Sequence, residues 1–156
     1  MVKGTARFDR KSWALNGANT WYYNRRIWVL SRELAKAIPG RGSVLDIGCG
    51  DGQLALALMR LRSDLKVEGV DVVARPKTLV PVSQYDGTRL PFPDKSFDYV
   101  TIVDVLHHTD DATVVLSEAS RVARSGVVIK DHLREGWLAQ ATLAFMEWCG
   151  NFGDGV

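Results

Sequence analysis

The chain has little that would staple it, thread it through a membrane or tie it to a polyanion. It contains two cysteines, Cys49 and Cys149, among 156 residues. Two thiols make no disulfide framework, so the fold must rest on its apolar core. No apolar run is long enough to cross a bilayer and no secretory leader is visible, so a cytoplasmic location is expected. Twenty Lys and Arg against 18 Asp and Glu leave a formal net charge of +2, which points to neither nucleic acid nor a membrane surface. Arg7, Arg10, Lys11, Arg25 and Arg26 make the start basic and read as a solvated face. There is no internal repeat and no low-complexity segment. Histidine is scarce too: His107, His108 and His132 are the three side chains that titrate near neutrality. What remains is ordinary for a globular protein, with 46% hydrophobic and 24% charged residues. The length suits one domain with a real core, so 1–156 reads as a single domain.

The organising stretch is Val44–Leu58. Apolar Val44, Leu45 and Ile47 make a short buried strand, Gly48, Gly50 and Gly52 alternate with other residues, and an apolar helix follows from about Gln53. Glycine tolerates positive φ and lets a backbone approach a ligand that a Cβ would block. A turn of this kind, opening a helix, is expected to aim free N–H groups at that ligand. The dinucleotide fingerprint wants glycine at its sixth position. Counted from Gly48 that position is Gln53, which disfavours a nicotinamide-dependent oxidoreductase. Cys49, inside the turn, reads as a small side chain.

In chain order, Met1–Asn19 reads as polar and irregular. Trp21–Ile38 reads as a helix with Tyr23, Ile27, Leu30, Leu34 and Ile38 at helical spacing, ended by Pro39-Gly40. Of its aromatics, Trp28 is expected in the core, while Tyr22, Tyr23 and Arg26 are placed to reach a ligand. Strand 1 covers Ser43–Gly48, and a helix covers Gln53–Arg62. Lys66–Asp71 is strand 2, and Asp71 at its end is placed to accept ribose hydroxyls. Val72–Val80 has no helical period and links to strand 3, Val80–Tyr85, closed by Asp86-Gly87. A prolyl turn, Leu90–Asp94, leads to an apolar fourth strand that delivers Asp104 and His107 to its carboxyl end. Thr109-Asp110-Asp111 starts a helix over Ala112–Ala123. Gly126–Lys130 is strand 5, ending in Asp131-His132, and Glu135–Cys149 is a last helix. Alternating buried strands and helices imply an α/β, doubly wound, mostly parallel Rossmann-like sheet with helices on both faces. Ligands bind outside the carboxyl ends of such strands, where the glycine turn, Asp71, Asp86, His107 and His132 all fall. Adjacent histidines on an extended segment point to opposite faces, so His107-His108 suggests no metal site.

From Ser43 to about His132 the chain resembles the class I S-adenosylmethionine (SAM)-dependent methyltransferases, in particular the small-molecule group called type 11. The glycine motif with Asp46 before it, and the Leu90–Asp104 segment, carry the resemblance. It implies SAM as cofactor, S-adenosylhomocysteine as product and a small-molecule methyl acceptor as partner. It assigns cofactor contacts to Asp46, Gly48, Cys49, Gly50, Gly52, Asp71, Val72, Asp86, Gly87 and Asp104. Asp86 would meet the adenine amine, although Asp-Gly is equally a plain turn pair. His107 and His132 would face the acceptor as general bases. Residues 1–40 would form a lid and helix, 41–132 the cofactor-binding core, and 133–156 a last helix and tail. The resembled fold has seven strands and about five are present, so a truncated chain is expected. A homodimer or partner chain would cover the open edge at strand 5. The alternative function is a SAM-binding subunit without its own catalysis.

Overall fold

The computed structural model describes residues 10–131, with side chains from Asn24 onward. The chain divides into two compact units, and everything described from Ile27 to Asp131 belongs to one of them. His132, the helix expected over Glu135–Cys149 and the glycine-rich tail lie outside the described residues. So do the side chains of Tyr22 and Tyr23.

Among the described residues the elements are α1 (Arg10–Ala37), β1 (Gly42–Ile47), α2 (Gln53–Leu61), β2 (Leu65–Asp71), β3 (Val82–Gln84), β4 (Phe97–Val103), α3 (Ala112–Val122) and β5 (Ala123–Lys130), with a 3₁₀ turn at Leu106–His108. The five strands form one all-parallel sheet in the order β3-β2-β1-β4-β5. Order reverses between β1 and β4, so a crevice opens at the carboxyl ends of that pair.

Alternation along β1 supplies two cores. Leu45 and Ile47 point to one face and pack with Val70, Val100 and Ile102 under Val115, Ala119 and Val122 of α3. Val44 points to the other, where Leu34 and Ile38 of α1 and Ala55 and Leu58 of α2 cover the sheet with Val67 and Tyr99. Strands buried on both faces read as continuous apolar runs, which is why β4 is recognisable from its composition.

Three expectations need correction. Arg10–Asn19 is not irregular, because α1 begins at Arg10. Once a helix is nucleated, adding residues of fair propensity costs little even without an apolar stripe. Trp28 is not in the core but 57% exposed, with the Arg32 guanidinium 4.7 Å from its ring centroid. The inward stripe runs through Ser31, Leu34 and Ile38, and one helical position is a 100° rotation, enough to turn Trp28 outward. The core serine is accommodated because its hydroxyl donates to Trp28 O at 3.1 Å. Third, strand 3 is shorter than expected, three residues instead of six. The expected absence of a helix over Val72–Val80 agrees with the structure.

Candidate functional site

The glycine loop between β1 and α2 is held from inside. Gly48 N and Cys49 N donate to Val70 O at 2.8 and 3.2 Å, and Gly52 N donates to Cys49 O at 3.0 Å. Gly50 N donates to Asp71 Oδ2 at 2.8 Å. Gln53 N, the first of α2, is taken by Asp51 Oδ1 at 3.2 Å. The N–H groups of Gly48, Cys49, Gly50, Gly52 and Gln53 are thus taken by neighbouring carbonyls and carboxylates.

The three glycines differ in what they permit. A Cβ on Gly48 would strike Val105, and one on Gly52 would lie 2.6 Å from Val80 Cγ2, so both are required by packing. Gly50 has φ of +60° and nothing within 3.9 Å of a built Cβ, the nearest atoms being the Arg75 guanidinium. It is the open point of the loop.

Acids surround that point. Asp71, at the end of β2, is 8% exposed. Its Oδ2 holds Gly50 N and its Oδ1 accepts from Val73 N at 2.9 Å. Each carboxylate oxygen has two acceptor positions, so one on each oxygen remains for a ligand hydroxyl. Asp46 is 4% exposed within β1 and accepts from Thr101 Oγ1 of β4 at 2.6 Å. Burial pushes its pKa up to about 6; the threonine bond opposes the shift and the Asp71 carboxylate adds to it. The Cys49 thiol is pushed up to about 12, by desolvation first and then by the same two aspartates. It stays protonated, in keeping with a small packing side chain whose sulfur fills the space that a Cβ on Gly69 would need.

At the β3 end, Asp86 Oδ1 accepts from Thr88 N, Thr88 Oγ1 and Arg89 N at 2.8, 2.8 and 3.0 Å. These bonds hold its pKa down to about 2. They are the bonds of a turn aspartate. Val72, 50% exposed, sits beside Gly87, where a built Cβ would meet its Cγ1 at 3.5 Å. The two make a shallow apolar shelf past β2 and β3.

Beyond β4 the chain turns sharply. Asp104 takes φ of +56°, a left-handed conformation uncommon for a non-glycine residue. Its N–H donates to Lys130 O at 2.8 Å and its carboxylate pairs with the Lys130 ammonium. The turn folds the 3₁₀ segment back onto the end of β5. There Leu106 N donates to Asp131 Oδ2 at 2.7 Å, and His107 Nδ1 lies 2.6 Å from Asp131 Oδ1. The His107 ring is 8% exposed and packs on His108 with centroids 3.9 Å apart. Among the described residues no group of His, Cys, Asp and Glu is arranged to hold a metal ion.

The structure thus gathers Asp46, Gly48, Cys49, Gly50, Gly52 and Asp71 into one cup, sets Val72, Asp86 and Gly87 along its β3 side, and places Asp104 and His107 past β4. Two residues escape a reading of the sequence. Thr101 is a lone hydroxyl in an apolar strand, and only the pairing of Asp46 with Thr101 across β1 and β4 gives it meaning. Asp131 is visible at a strand end, but nothing in the sequence ties it to His107.

A parallel doubly wound sheet with an acidic glycine loop at its switch point defines a class of cofactor-binding α/β proteins. A family model described as Methyltransferase domain matches residues 45–129, just over half of the chain, and the chain belongs to the class I SAM-dependent methyltransferase family. It is similar to 27-O-demethylrifamycin SV methyltransferase of Amycolatopsis mediterranei, at 33% identity over 62% of this chain and 41% of that protein. It is similar to demethylmenaquinone methyltransferase of Streptomyces avermitilis, at 32% identity over 72% of this chain and 52% of that one. Among solved structures, a SAM-dependent methyltransferase from Thermotoga maritima, titled a possible histamine N-methyltransferase, superposes with a TM-score of 0.63 at 25% identity, covering 86% of this chain and 66% of that one. The chain spans about half the length of the curated relatives it matches.

Proposed function

We propose that this chain binds SAM in the glycine-loop cup and directs its methyl group to a small-molecule acceptor. The observation that carries the reading is the loop itself: the N–H groups of Gly48, Cys49, Gly50 and Gly52 are used internally, its middle glycine is open, and buried Asp46 and Asp71 lie against it. A cup poor in donors and rich in acids suits a ligand that is cationic and carries ribose hydroxyls, which SAM is and a dinucleotide phosphate is not. Asp71 would accept from the ribose, Gly50 would admit the ligand backbone to backbone, and Asp46 would offset the positive sulfur. Val72 and Gly87 would receive the flat base, with Asp86 at its edge. When bound, SAM supplies a methyl group activated by positive sulfur. The chain's own part is to position it and shield it from water. His107, past β4, would serve as general base when the acceptor carries a proton to be removed.

Isothermal titration calorimetry with SAM tests the binding, and incubation with pooled metabolites followed by mass spectrometry tests the transfer. Titration without heat or saturation would overturn the reading. A second reading has one observation in its favour: among the described residues β5 pairs only with β4. A SAM-binding subunit completed by a partner chain would also present such an edge. It predicts SAM binding without turnover, together with association on size-exclusion chromatography.

A further inference from the structure

The link between β2 and β3 brings a cation to the acidic cup. It is tied at both ends: Val73 N donates to Asp71 Oδ1 at 2.9 Å, and Leu79 N donates to Asp51 O at 2.8 Å. Between the ties stands Arg75, and Pro76 after it biases its backbone towards an extended form. The guanidinium lies over Gly50: a Cβ built there would be 3.9 Å from Nε, 3.9 Å from Nη2 and 4.0 Å from Cζ. Distances this similar mean that the flat face of the group is turned to the glycine. Its N–H donors lie in the plane and so point sideways, along the mouth of the loop. Arg75 is exposed, and among the described residues its guanidinium makes no hydrogen bond or ion pair. A free planar fork of this kind suits a two-oxygen anion.

We propose that Arg75 takes the carboxylate of the cofactor's amino-acid arm and makes the site specific for ligands that keep that group. This rests on the SAM reading above. SAM carries a sulfonium and an ammonium, both positive, and a single negative group, the carboxylate. The cup as built suits the positive groups and the ribose. Asp46 and Asp71 are buried against the loop, at 4% and 8% exposure, and repel another carboxylate. The N–H groups of Gly48, Cys49, Gly50 and Gly52 already have acceptors. Asp51, the remaining acid of the loop, engages Gln53 through N and Nε2 at 3.2 and 2.9 Å, so that amide is turned to its own loop as well. What the loop lacks for a carboxylate, Arg75 supplies at its rim. A carboxylate lying beside Gly50 meets the edge of the guanidinium, where two parallel N–H···O bonds can form. Arg75 is exposed, so screening and the ordering of its side chain hold the gain to about tenfold in Kd, the low end for a charged hydrogen bond.

The test is calorimetric and needs no methyl acceptor. The full chain is titrated with SAM and with decarboxylated SAM, which keeps the sulfonium, the ammonium, the ribose and the base. The wild type should bind SAM about tenfold more tightly than the decarboxylated form. Equal affinities overturn the proposal, whether or not any variant folds. Arg75→Ala should lose about tenfold for SAM and nothing for decarboxylated SAM, so that the two Kd values converge. Equal loss for both ligands would make Arg75 a general support of the loop, and tighter binding of SAM would make it an obstacle at the mouth; either result overturns the assignment. Arg75→Lys keeps the charge without the flat fork and should recover only part of the preference for SAM. Recovery in full overturns the two-bond geometry. A wild-type chain that binds neither ligand fails at the cofactor reading; one that binds both alike fails here alone.

Discussion

Asp46 shows how one buried residue can weaken a fold. A carboxyl buried in a sheet, with one hydroxyl for company, prefers to be neutral, and its pKa is raised from 3.8 to about 6. Its protonated form is favoured by folding, so the cost of Asp46 is absent below about pH 4, grows as pH rises, and is complete above about pH 6. Each tenfold change in proton affinity is worth ~1.4 kcal/mol, so the full cost is about 3 kcal/mol. Asp46→Asn keeps an oxygen for Thr101 and removes the charge. It should raise the thermal midpoint above pH 6 and leave it unchanged near pH 4, while weakening SAM on titration. Equal melting curves at every pH would show that the burial carries no such cost. Asp71 differs in that both its oxygens already face N–H donors. Asp71→Ala should weaken SAM by about 1–3 kcal/mol, or roughly 5–150-fold in Kd, because ribose hydroxyls and loop amides lose one acceptor together. Asp71→Asn should not rescue it, since one end of the amide must point a donor at a donor.

At the scale of elements, the carboxyl end of α1 depends on a residue from elsewhere in the chain. Arg62, just after α2, donates through Nη1 to Ala35 O and Ile38 O at 2.8 and 2.9 Å and through Nη2 to Gly40 O at 2.8 Å. Asp64 fixes its fork at Nε and Nη2. Ala35 O is one of the carbonyls that a helix end leaves without a partner, and Ile38 O and Gly40 O belong to the turn that follows it. Arg62→Ala should lower the melting temperature by several degrees without altering SAM affinity; differential scanning calorimetry beside the titration reads both. The case also marks what the sequence can show. β1, α2, β2, β4 and α3 are legible because buried runs, glycine, proline and the Asp111 cap are local signals, and Asp111 indeed accepts from Thr113 N at 2.8 Å. The glycine loop and Asp71 are legible because their spacing follows from strand ends. Arg62, Thr101 and Asp131 act across 22 to 55 residues, and no local pattern carries such a pairing. The N–H inventory of the loop is hidden for the same reason, since its acceptors Val70 and Asp71 come from β2.

In the molecule as a whole, the described sheet has one wing, β3-β2-β1, and another, β4-β5, joined along β1 and β4. That seam is pinned by side chains at both ends. Near the site Thr101 bonds Asp46 at 2.6 Å. At the opposite edge Asp98 Oδ2 accepts from Ser43 N at 2.8 Å and from Ser43 Oγ at 3.0 Å, while Asp98 N returns a bond to Ser43 Oγ at 3.1 Å. A seam fastened top and bottom does not hinge like a book. The separation of Gly50 from His107 is then a property of the plate, set before any ligand arrives. Spin labels at Gln84 and Arg124, on the outermost described strands of the two wings, would read this directly in a chain with both cysteines changed to serine. Their distance should be the same with and without SAM. Were it to shorten on binding, the wings would be the moving parts, and the pins at Asp46 and Asp98 would be yielding with every turnover.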